Sequence, residues 1–190
     1  MSFCPSILYR DLKPENVGFD VRGDLKLFDF GLARQLPSKS SKDYQSDGLY
    51  LMTGLTGSRR YMAPEVVLSK PYNLSADVYS FAILAWEMFS FRRPFSGMDP
   101  RMHEIMVAKN GIRPDISKEK VNGCPTTVID IMVKCWDDYV HQRPSIEKVS
   151  GMLRNTLDHL EYGFEKGKGC TKLSRSQTLL QRSENSVCER

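Results

Sequence analysis

The sequence YRDLKPEN at residues 9–16 is followed closely by FDFG at residues 28–31, and these two stretches decide how the chain is interpreted. They place an aspartate, a lysine and an asparagine on one short loop and a second aspartate just after the next apolar run. Carboxylate and amide oxygens are ligands that Mg²⁺ accepts alongside phosphate groups. The four side chains of the candidate site are Asp11, Lys13, Asn16 and Asp29.

The residues between the two stretches predict a β-hairpin. Two short apolar runs, at 17–19 and 25–28, are separated by a polar connection that contains Gly23. Glycine can adopt the positive φ that a tight connection requires. Because antiparallel strands return the chain to the edge from which it left, Asn16 and Asp29 are expected to face one cation. A surface hairpin with incidental polar ends is the alternative.

These residue types, in this order, indicate phosphoryl transfer from a Mg²⁺-bound nucleotide. Asp11 is the candidate base that orients an acceptor hydroxyl and takes its proton, and Lys13 can neutralise charge on the transferring group. Asn16 and Asp29 are candidate Mg²⁺ ligands. Each residue alone has an ordinary explanation, such as a surface ion pair or a turn, but chance explains the combination poorly.

The chain resembles the large, carboxy-terminal lobe of a eukaryotic protein kinase. The landmarks occur in the family's order: the catalytic loop 9–16, DFG at 29–31, APE at 63–65, Asp77 in an apolar helix, and Arg143 followed by proline. The resemblance implies a mainly α-helical fold with a small β-hairpin, a kinase-like α+β lobe. It implies ATP and Mg²⁺ as cofactors.

Further details are similar to serine/threonine kinases of the tyrosine-kinase-like group. Lys13 stands where serine/threonine kinases carry lysine, and residues 57–65 read GSRRYMAPE, with Ser58 in place of the usual threonine. CW at 135–136 followed by RPS at 143–145 resembles that group, whose members mostly phosphorylate serine or threonine. The implied partners are a protein substrate with a serine or threonine acceptor and an upstream activating kinase.

The resemblance also implies a regulatory role for Arg10, which would bind a phosphate on the activation segment, residues 29–65. The sequence does not choose among the candidate acceptors of that phosphate. They are Ser38, Ser40, Ser41, Tyr44, Ser46, Thr53 and Thr56.

Four other residues have implied structural roles. Ser58 would bridge the catalytic aspartate and lysine. Glu65 and Arg143 would form a buried ion pair that ties the activation segment to the helices that follow. Asp77 would accept hydrogen bonds from backbone amides of the catalytic loop, a role compatible with its place in the first turn of a helix.

The sequence departs from the family in two places. Tyr9 replaces the usual histidine, at a packing position where another aromatic ring can substitute. The Gly-rich loop, strand lysine and partner glutamate that cover the nucleotide phosphates normally precede the catalytic loop, which here begins at residue 9. The expectation is a truncated kinase domain at residues 1–159, with negligible activity alone, followed by a disordered basic and Ser-rich tail at 160–190.

A non-catalytic interaction module of the pseudokinase type is the alternative. Such a module would use the helical surface of the lobe to bind a kinase or its substrate. The intact catalytic set weighs against long-standing decay, but a recent truncation would leave the same residues in place.

The composition, with 41% hydrophobic and 26% charged residues, is typical of a globular protein. The net charge of +4 is mild, so no nucleic-acid partner is expected. The sequence shows no signal peptide or transmembrane segment, which favours a cytoplasmic or nuclear protein without a membrane partner. The five cysteines lack C-x-x-C spacing, which favours reduced thiols over a metal site.

The chain from residue 32 to residue 60 predicts a long polar loop without regular structure. After it, Ser75 is a candidate N-cap for a helix at 76–89, which is apolar on all sides and is therefore expected to be buried. Further helices are predicted at 102–110, 126–136 and 145–157.

Overall fold

The computed structural model describes residues 6–117, 119–121 and 123–167, with side chains described through residue 161. The strands are β1 (Ile7–Leu8), β2 (Val17–Phe19), β3 (Leu25–Leu27) and β4 (Arg34–Gln35). The α-helices are α1 (Pro64–Val67), α2 (Ser75–Ser90), α3 (Pro100–His103), α4 (Thr126–Cys135) and α5 (Ile146–Gly167). Short 3₁₀ helices lie at Pro14–Asn16, Ser46–Gly48, Arg59–Tyr61 and Val140–Gln142. The described chain is therefore mainly helical, with small two-stranded sheets.

The chain consists of two units, Met1–Leu153 and Arg154–Arg190. The first unit contains the core, in which α2 packs against α4. Its largest fully buried side chains include Leu8, Tyr72, Tyr79, Ile83 and Met132. The described part of the second unit is the C-terminal portion of α5.

Strands β2 and β3 form the predicted antiparallel hairpin, with Val17 opposite Leu27. Gly23 in the connection has a φ of +82°, the left-handed conformation that was expected of glycine in this tight turn. The Phe28 amide donates to the Asn16 carbonyl at 2.9 Å, which extends the pairing beyond the strands. The hairpin therefore brings the residue before Asp29 next to Asn16.

The prediction of a loop without regular structure from residue 32 to residue 60 was wrong in part. Strand β4 pairs with β1, so that Leu8 lies opposite Arg34. Farther along, Tyr50 forms β-bridges to both Tyr44 and Tyr72. The partners in the pairs Leu8–Arg34 and Tyr50–Tyr72 lie far apart in the sequence, so a search for local periodicity does not detect them.

Helix α2 is buried on several sides, as its apolar sequence predicted. Ser75, however, is the first helical residue and not the N-cap. The N-cap position is Leu74, and the side chain of Asn73, one residue earlier, accepts a hydrogen bond from the Ser75 amide at 3.0 Å. The Ser75 hydroxyl is buried without a hydrogen-bond partner in the described structure.

The later helices also begin near their predicted positions. Asp99 caps α3 by accepting from the Met102 amide at 2.8 Å, and the helix continues as a π-helix over Glu104–Lys109. Helix α5 runs through Gly167, well beyond the predicted end at residue 157. The segment 160–167, predicted to belong to a disordered tail, is therefore helical, and residues 168–190 lie outside the described residues.

In the part of the chain that the structure describes, no helix combines the length and apolar character needed to cross a bilayer. Cys124 and Cys135 are free thiols. The other three cysteines, Cys4, Cys170 and Cys188, lie outside the described residues.

His103, at the junction of α3 and the π-helix, should make folding stability depend on pH. Its ring is 3% exposed and packs edge-on against Phe95 at 5.1 Å between ring centroids, with neither nitrogen hydrogen-bonded in the described structure. Burial, with smaller contributions from Arg59, Arg60 and Arg113, lowers the pKa of His103 to about 4.

The unfolded chain protonates His103 near pH 6.5, whereas the folded chain does so only near pH 4. The contribution of neutral His103 to the free energy of unfolding is therefore fully present above pH 6.5 and is lost as the pH falls towards 4. The expected loss from His103 is about 3 kcal/mol, and His103→Phe should remove it. Urea unfolding of both proteins between pH 7 and pH 4 measures the difference, and parallel pH profiles would contradict the prediction.

Candidate active site

The catalytic loop folds around the side chain of Asp11, which is 7% exposed. Pro14 begins a 3₁₀ turn that returns the chain, and this turn places Asn16 against the aspartate. The Asn16 Nδ2 donates to Asp11 Oδ2 at 3.0 Å and to the Asp11 carbonyl at 2.9 Å. Lys13 Nζ lies 2.8 Å from Asp11 Oδ2. Three of the four predicted site residues are therefore in direct contact.

Ser58 approaches the same group from the activation segment. Its backbone amide donates to Asp11 Oδ1 at 2.8 Å, and Lys13 Nζ donates to its hydroxyl at 3.1 Å. The predicted bridge between aspartate and lysine is therefore present. Because the contact joins residues 47 positions apart in the sequence, it depends on the tertiary fold.

The hydrogen bonds determine the charge state of this cluster. Burial acts to raise the pKa of Asp11, but hydrogen bonds from Lys13 and Ser58 outweigh it, and the pKa lies below that of an ordinary aspartate. The Asp11 hydrogen bond raises the pKa of Lys13. At neutral pH the site therefore contains an ionised carboxylate, with its oxygens held in fixed directions, and a charged ammonium group.

Asp29 lies at the open end of the hairpin and is solvent-exposed. Its φ is +51°, and its Oδ1 accepts from the Gly31 amide at 3.1 Å. Tyr9 holds the neighbouring residues, because its hydroxyl donates to the Phe28 carbonyl and its ring packs edge-on against Phe30. No hydrogen bond joins Asp29 to the other three site residues in the described structure. The backbone pairing of the hairpin places Phe28, the residue before Asp29, against Asn16.

Asp77 holds the start of the catalytic loop from inside the core. Its two carboxylate oxygens accept from the backbone amides of Tyr9 at 2.6 Å and Arg10 at 2.9 Å. Burial raises the pKa of Asp77, and the two backbone hydrogen bonds oppose that change. These bonds fix Arg10 at a φ of +70°, a conformation that costs a non-glycine residue free energy.

The guanidinium group of Arg10 contacts the activation segment at two points. Nε donates to the Leu32 carbonyl at 2.6 Å, and Nη1 donates to the Thr53 hydroxyl at 3.0 Å. Thr53 is exposed, and it is one of the seven candidate phosphate acceptors named from the sequence. The ion pairs found among the described residues do not include Arg10.

Glu65 and Arg143 form a two-pronged ion pair away from the catalytic loop. Nη1 lies 2.6 Å from Oε1 and Nη2 lies 2.9 Å from Oε2, with the Arg143 side chain fully buried. Tyr79 of α2 contacts both Arg143 and Arg113, whose guanidinium carbons lie 5.2 Å and 5.1 Å from its ring centroid. The sequence predicted the ion pair but not the stacked arrangement around it.

Gly57 allows the activation segment to approach the catalytic loop. Its φ is +100°, and a Cβ at this position would lie 2.1 Å from the Arg10 carbonyl oxygen. We expect Gly57→Ala to destabilise the native state by about 1–3 kcal/mol, because the new methyl group must displace backbone. Urea unfolding measures this change.

The matched substitution Gly23→Ala also falls at a positive φ, but nothing lies within 4 Å of the position that its new methyl group would occupy. It should therefore cost less than Gly57→Ala. Equal losses at the two positions would mean that close approach to Arg10 is not what requires glycine at 57.

Two oxygen atoms near the loop are of the kind that Mg²⁺ accepts alongside phosphate groups. No cluster of three or more His, Cys, Asp or Glu side chains that could hold a metal occurs among the described residues. The Asn16 amide nitrogen is engaged by Asp11, which leaves its oxygen as the available ligand atom, and Asp29 offers a carboxylate. Mg²⁺ commonly takes one or two protein oxygens and completes its shell with phosphate and water.

Comparison with known proteins agrees with this geometry. A family model described as the protein kinase domain matches residues 3–152. The match covers most of the chain, which therefore belongs to the protein kinase family.

Several curated relatives are serine/threonine kinases. The chain is 40% identical to serine/threonine-protein kinase VIK of Arabidopsis thaliana over 141 residues, 73% of this chain and 30% of that protein. It is 34% identical to serine/threonine-protein kinase STY17 of the same plant, over 80% of this chain and 24% of that protein. It is 36% identical to dual specificity protein kinase shkB of Dictyostelium discoideum, over 76% of this chain and 21% of that protein. The chain thus spans less than a third of the length of each of these relatives.

Three residues that matter to the site were not singled out from the sequence for the roles that the structure gives them. Gly57 opens the GSRRYMAPE sequence, and a glycine can mark a position where another part of the backbone approaches closely. Arg113 gave no local signal. Tyr9 was interpreted as a packing residue, whereas its hydroxyl also bonds to the Phe28 carbonyl.

Proposed function

We propose that this chain is the large lobe of a serine/threonine protein kinase of the tyrosine-kinase-like group, spanning residues 1–159. Membership of the kinase family and the names of the relatives support this proposal. The observation that carries it is the hydrogen-bonded cluster of Asp11, Lys13, Asn16 and Ser58. That cluster contains an ionised carboxylate, a charged amine and an amide oxygen beside one another.

Each residue of the cluster has a proposed role. Asp11 orients the hydroxyl of a serine or threonine in a protein substrate and accepts its proton. Lys13, fixed between Asp11 and Ser58, stabilises negative charge near the acceptor. Asn16 and Asp29 would hold Mg²⁺. ATP, when bound with the cation, supplies the phosphoryl group.

The regulatory residue Arg10 fits the same proposal. Of the seven candidate acceptors on the activation segment, Thr53 is the one whose hydroxyl Arg10 contacts in the structure. A phosphate at Thr53 would give Arg10 an anion in two-pronged geometry, which the neutral hydroxyl does not provide. We therefore propose Thr53 as the residue that an upstream kinase would phosphorylate.

The 190 residues alone should transfer phosphate negligibly. They contain no Gly-x-Gly-x-x-Gly sequence to cover the nucleotide phosphates. The hairpin beside the cluster exposes apolar side chains, with Leu25 60%, Phe28 47% and Phe30 59% exposed. Exposed apolar surface beside a site of this kind indicates that further polypeptide covers it in the working enzyme.

A chimera tests the proposal. The region of the VIK kinase that precedes its match to this chain, which should contain its small lobe, is joined to residues 3–190. Transfer of ³²P from ATP to a generic protein substrate is then measured, followed by phosphoamino-acid analysis. We expect phosphoserine or phosphothreonine from the chimera and none above background from the 190-residue chain. A folded chimera without activity would contradict the proposal and favour a non-catalytic module. Equal activity of the short chain would contradict its predicted dependence on a second lobe.

A further inference from the structure

An arginine-rich surface lies beside the catalytic cluster. Ser58, whose amide bonds to Asp11, is followed directly by Arg59 and Arg60. Arg59 Nη1 donates to the Pro100 carbonyl at 3.3 Å, which places it close to Arg101. Residues Arg59, Arg60 and Arg101 are named here the arginine patch.

The members of the patch differ in how firmly they are held. Arg60 Nη1 donates to the carbonyls of Pro94 at 2.9 Å and Phe95 at 2.8 Å, and so anchors the activation segment. Arg59 makes one long contact, and Arg101 is exposed. The guanidinium groups of Arg59 and Arg101 therefore retain most of their hydrogen-bonding capacity.

The carboxylates near the patch are already engaged. Lys109 Nζ lies 2.7 Å from Glu104 Oε1. Hydrogen bonding to Lys109, with smaller contributions from Arg59 and Arg101, lowers the pKa of Glu104, so this acid lies within electrostatic range of both arginines. Asp99 is used as a helix cap, and Glu87 accepts from the Tyr61 hydroxyl at 2.6 Å. Among the described residues, no ion pair within 4.0 Å includes a member of the patch.

We propose that the arginine patch selects acceptor segments that carry anionic side chains, carboxylate or phosphate, close to the serine or threonine. This inference rests on the proposed function, which places the acceptor at Asp11. Because Arg59 directly follows Ser58, whose amide bonds to Asp11, the anionic groups should lie within a few residues of the acceptor. Guanidinium groups bind both kinds of anion in two-pronged geometry.

Peptide binding to the 190-residue protein tests the inference without requiring catalysis. Three fluorescent peptides share a central serine and differ only in two flanking residues, which are glutamate, phosphoserine or glutamine. Fluorescence anisotropy at low salt should give about tenfold tighter binding for the glutamate peptide than for the glutamine peptide. The difference should shrink in 0.5 M salt, because exposed charges are screened. The order of the glutamate and phosphoserine peptides identifies the preferred anion.

Two double variants that remove the same charge distinguish an effect of the arginine patch from an effect of net charge. Arg59→Gln with Arg101→Gln should reduce the preference to about twofold or less. The control, Arg22→Gln with Lys26→Gln, removes the same charge from the hairpin, where both cations pair with Asp20 and Asp24. It should leave the preference unchanged. Circular dichroism checks that both variants fold.

Equal binding of the glutamate and glutamine peptides, or equal losses in the two variants, would overturn the inference. Neither result bears on phosphoryl transfer by the chimera. An inactive chimera would contradict the proposed function, whereas a measured preference for anionic peptides would still stand. The two failures are therefore distinguishable.

Discussion

Asp11→Asn in the chimera is expected to reduce phosphoryl transfer on the order of 10²–10⁴-fold, the range associated with loss of a general base. The substitution keeps the shape of the side chain but removes the charge that accepts the substrate proton. It also replaces one of the two carboxylate oxygens with an NH₂ group, which cannot accept. Oδ1 accepts from the Ser58 amide and Oδ2 contacts Lys13 Nζ, so either replacement removes one of these contacts. Rates at saturating ATP and substrate measure the effect.

A matched control distinguishes catalysis from general damage. Asp20→Asn makes the same chemical change on the hairpin turn, where Asp20 accepts from the backbone amides of Arg22 at 2.9 Å and Asp24 at 3.0 Å. It should leave the rate within about twofold, because exposed pairs of this kind contribute little. Full activity of the Asp11 variant, or an equal loss in the control, would remove Asp11 from the proposed catalytic role.

The local part of the site could be predicted from the sequence. The loop 9–16 and the hairpin that follows are short. Their turn residues adopt the conformations that they prefer, Pro14 at the start of a 3₁₀ turn and Gly23 at a positive φ. Helix α2 was predictable because its apolar side chains lie on all sides, which is typical of a helix buried in a core. Motif order then connected these pieces to a known family.

The rest depends on contacts between distant residues. Strand β4 exists because its backbone pairs with β1, and its own two residues carry no strand signal. The N-cap prediction at Ser75 failed because the helix begins at that residue, and the side chain of Asn73 accepts from the Ser75 amide instead. Similarly, the sequence did not distinguish among seven hydroxyl-bearing residues as acceptors of a regulatory phosphate. The fold brings the guanidinium group of Arg10 to one of them, Thr53.

Arg143→Met is expected to destabilise the 190-residue protein by about 3–5 kcal/mol, the cost of removing one partner of a buried ion pair. Glu65 would remain as an uncompensated charge at 5% exposure. The carbonyl oxygens of Asp137 and Ser75, which accept from Arg143 at 2.8 Å and 3.2 Å, would lose a donor. Urea unfolding followed by circular dichroism measures the loss. If the variant does not fold at all, its free energy of unfolding lies below the measurable range. Unfolding of the double variant Arg143→Met with Glu65→Met then tests the same cause.

Replacing both partners should cost far less than replacing one. In Arg143→Met with Glu65→Met no charge is left buried, so stability should recover to within about 1–2 kcal/mol of the parent. Arg113→Met is the matched control, because Arg113 also stacks on Tyr79 and pairs with Asp138, which is 60% exposed. The carbonyl oxygens of Trp136, Val107 and Ile112 would also lose a donor. The charged partner Asp138 can be rehydrated, however, so the expected loss is about 1–2 kcal/mol. If Arg143→Met cost no more than Arg113→Met, or if the double variant were as unstable as the single one, burial of an unpaired Glu65 charge would not be the cause. The ion pair would then have no special part in attaching the activation segment to the helices.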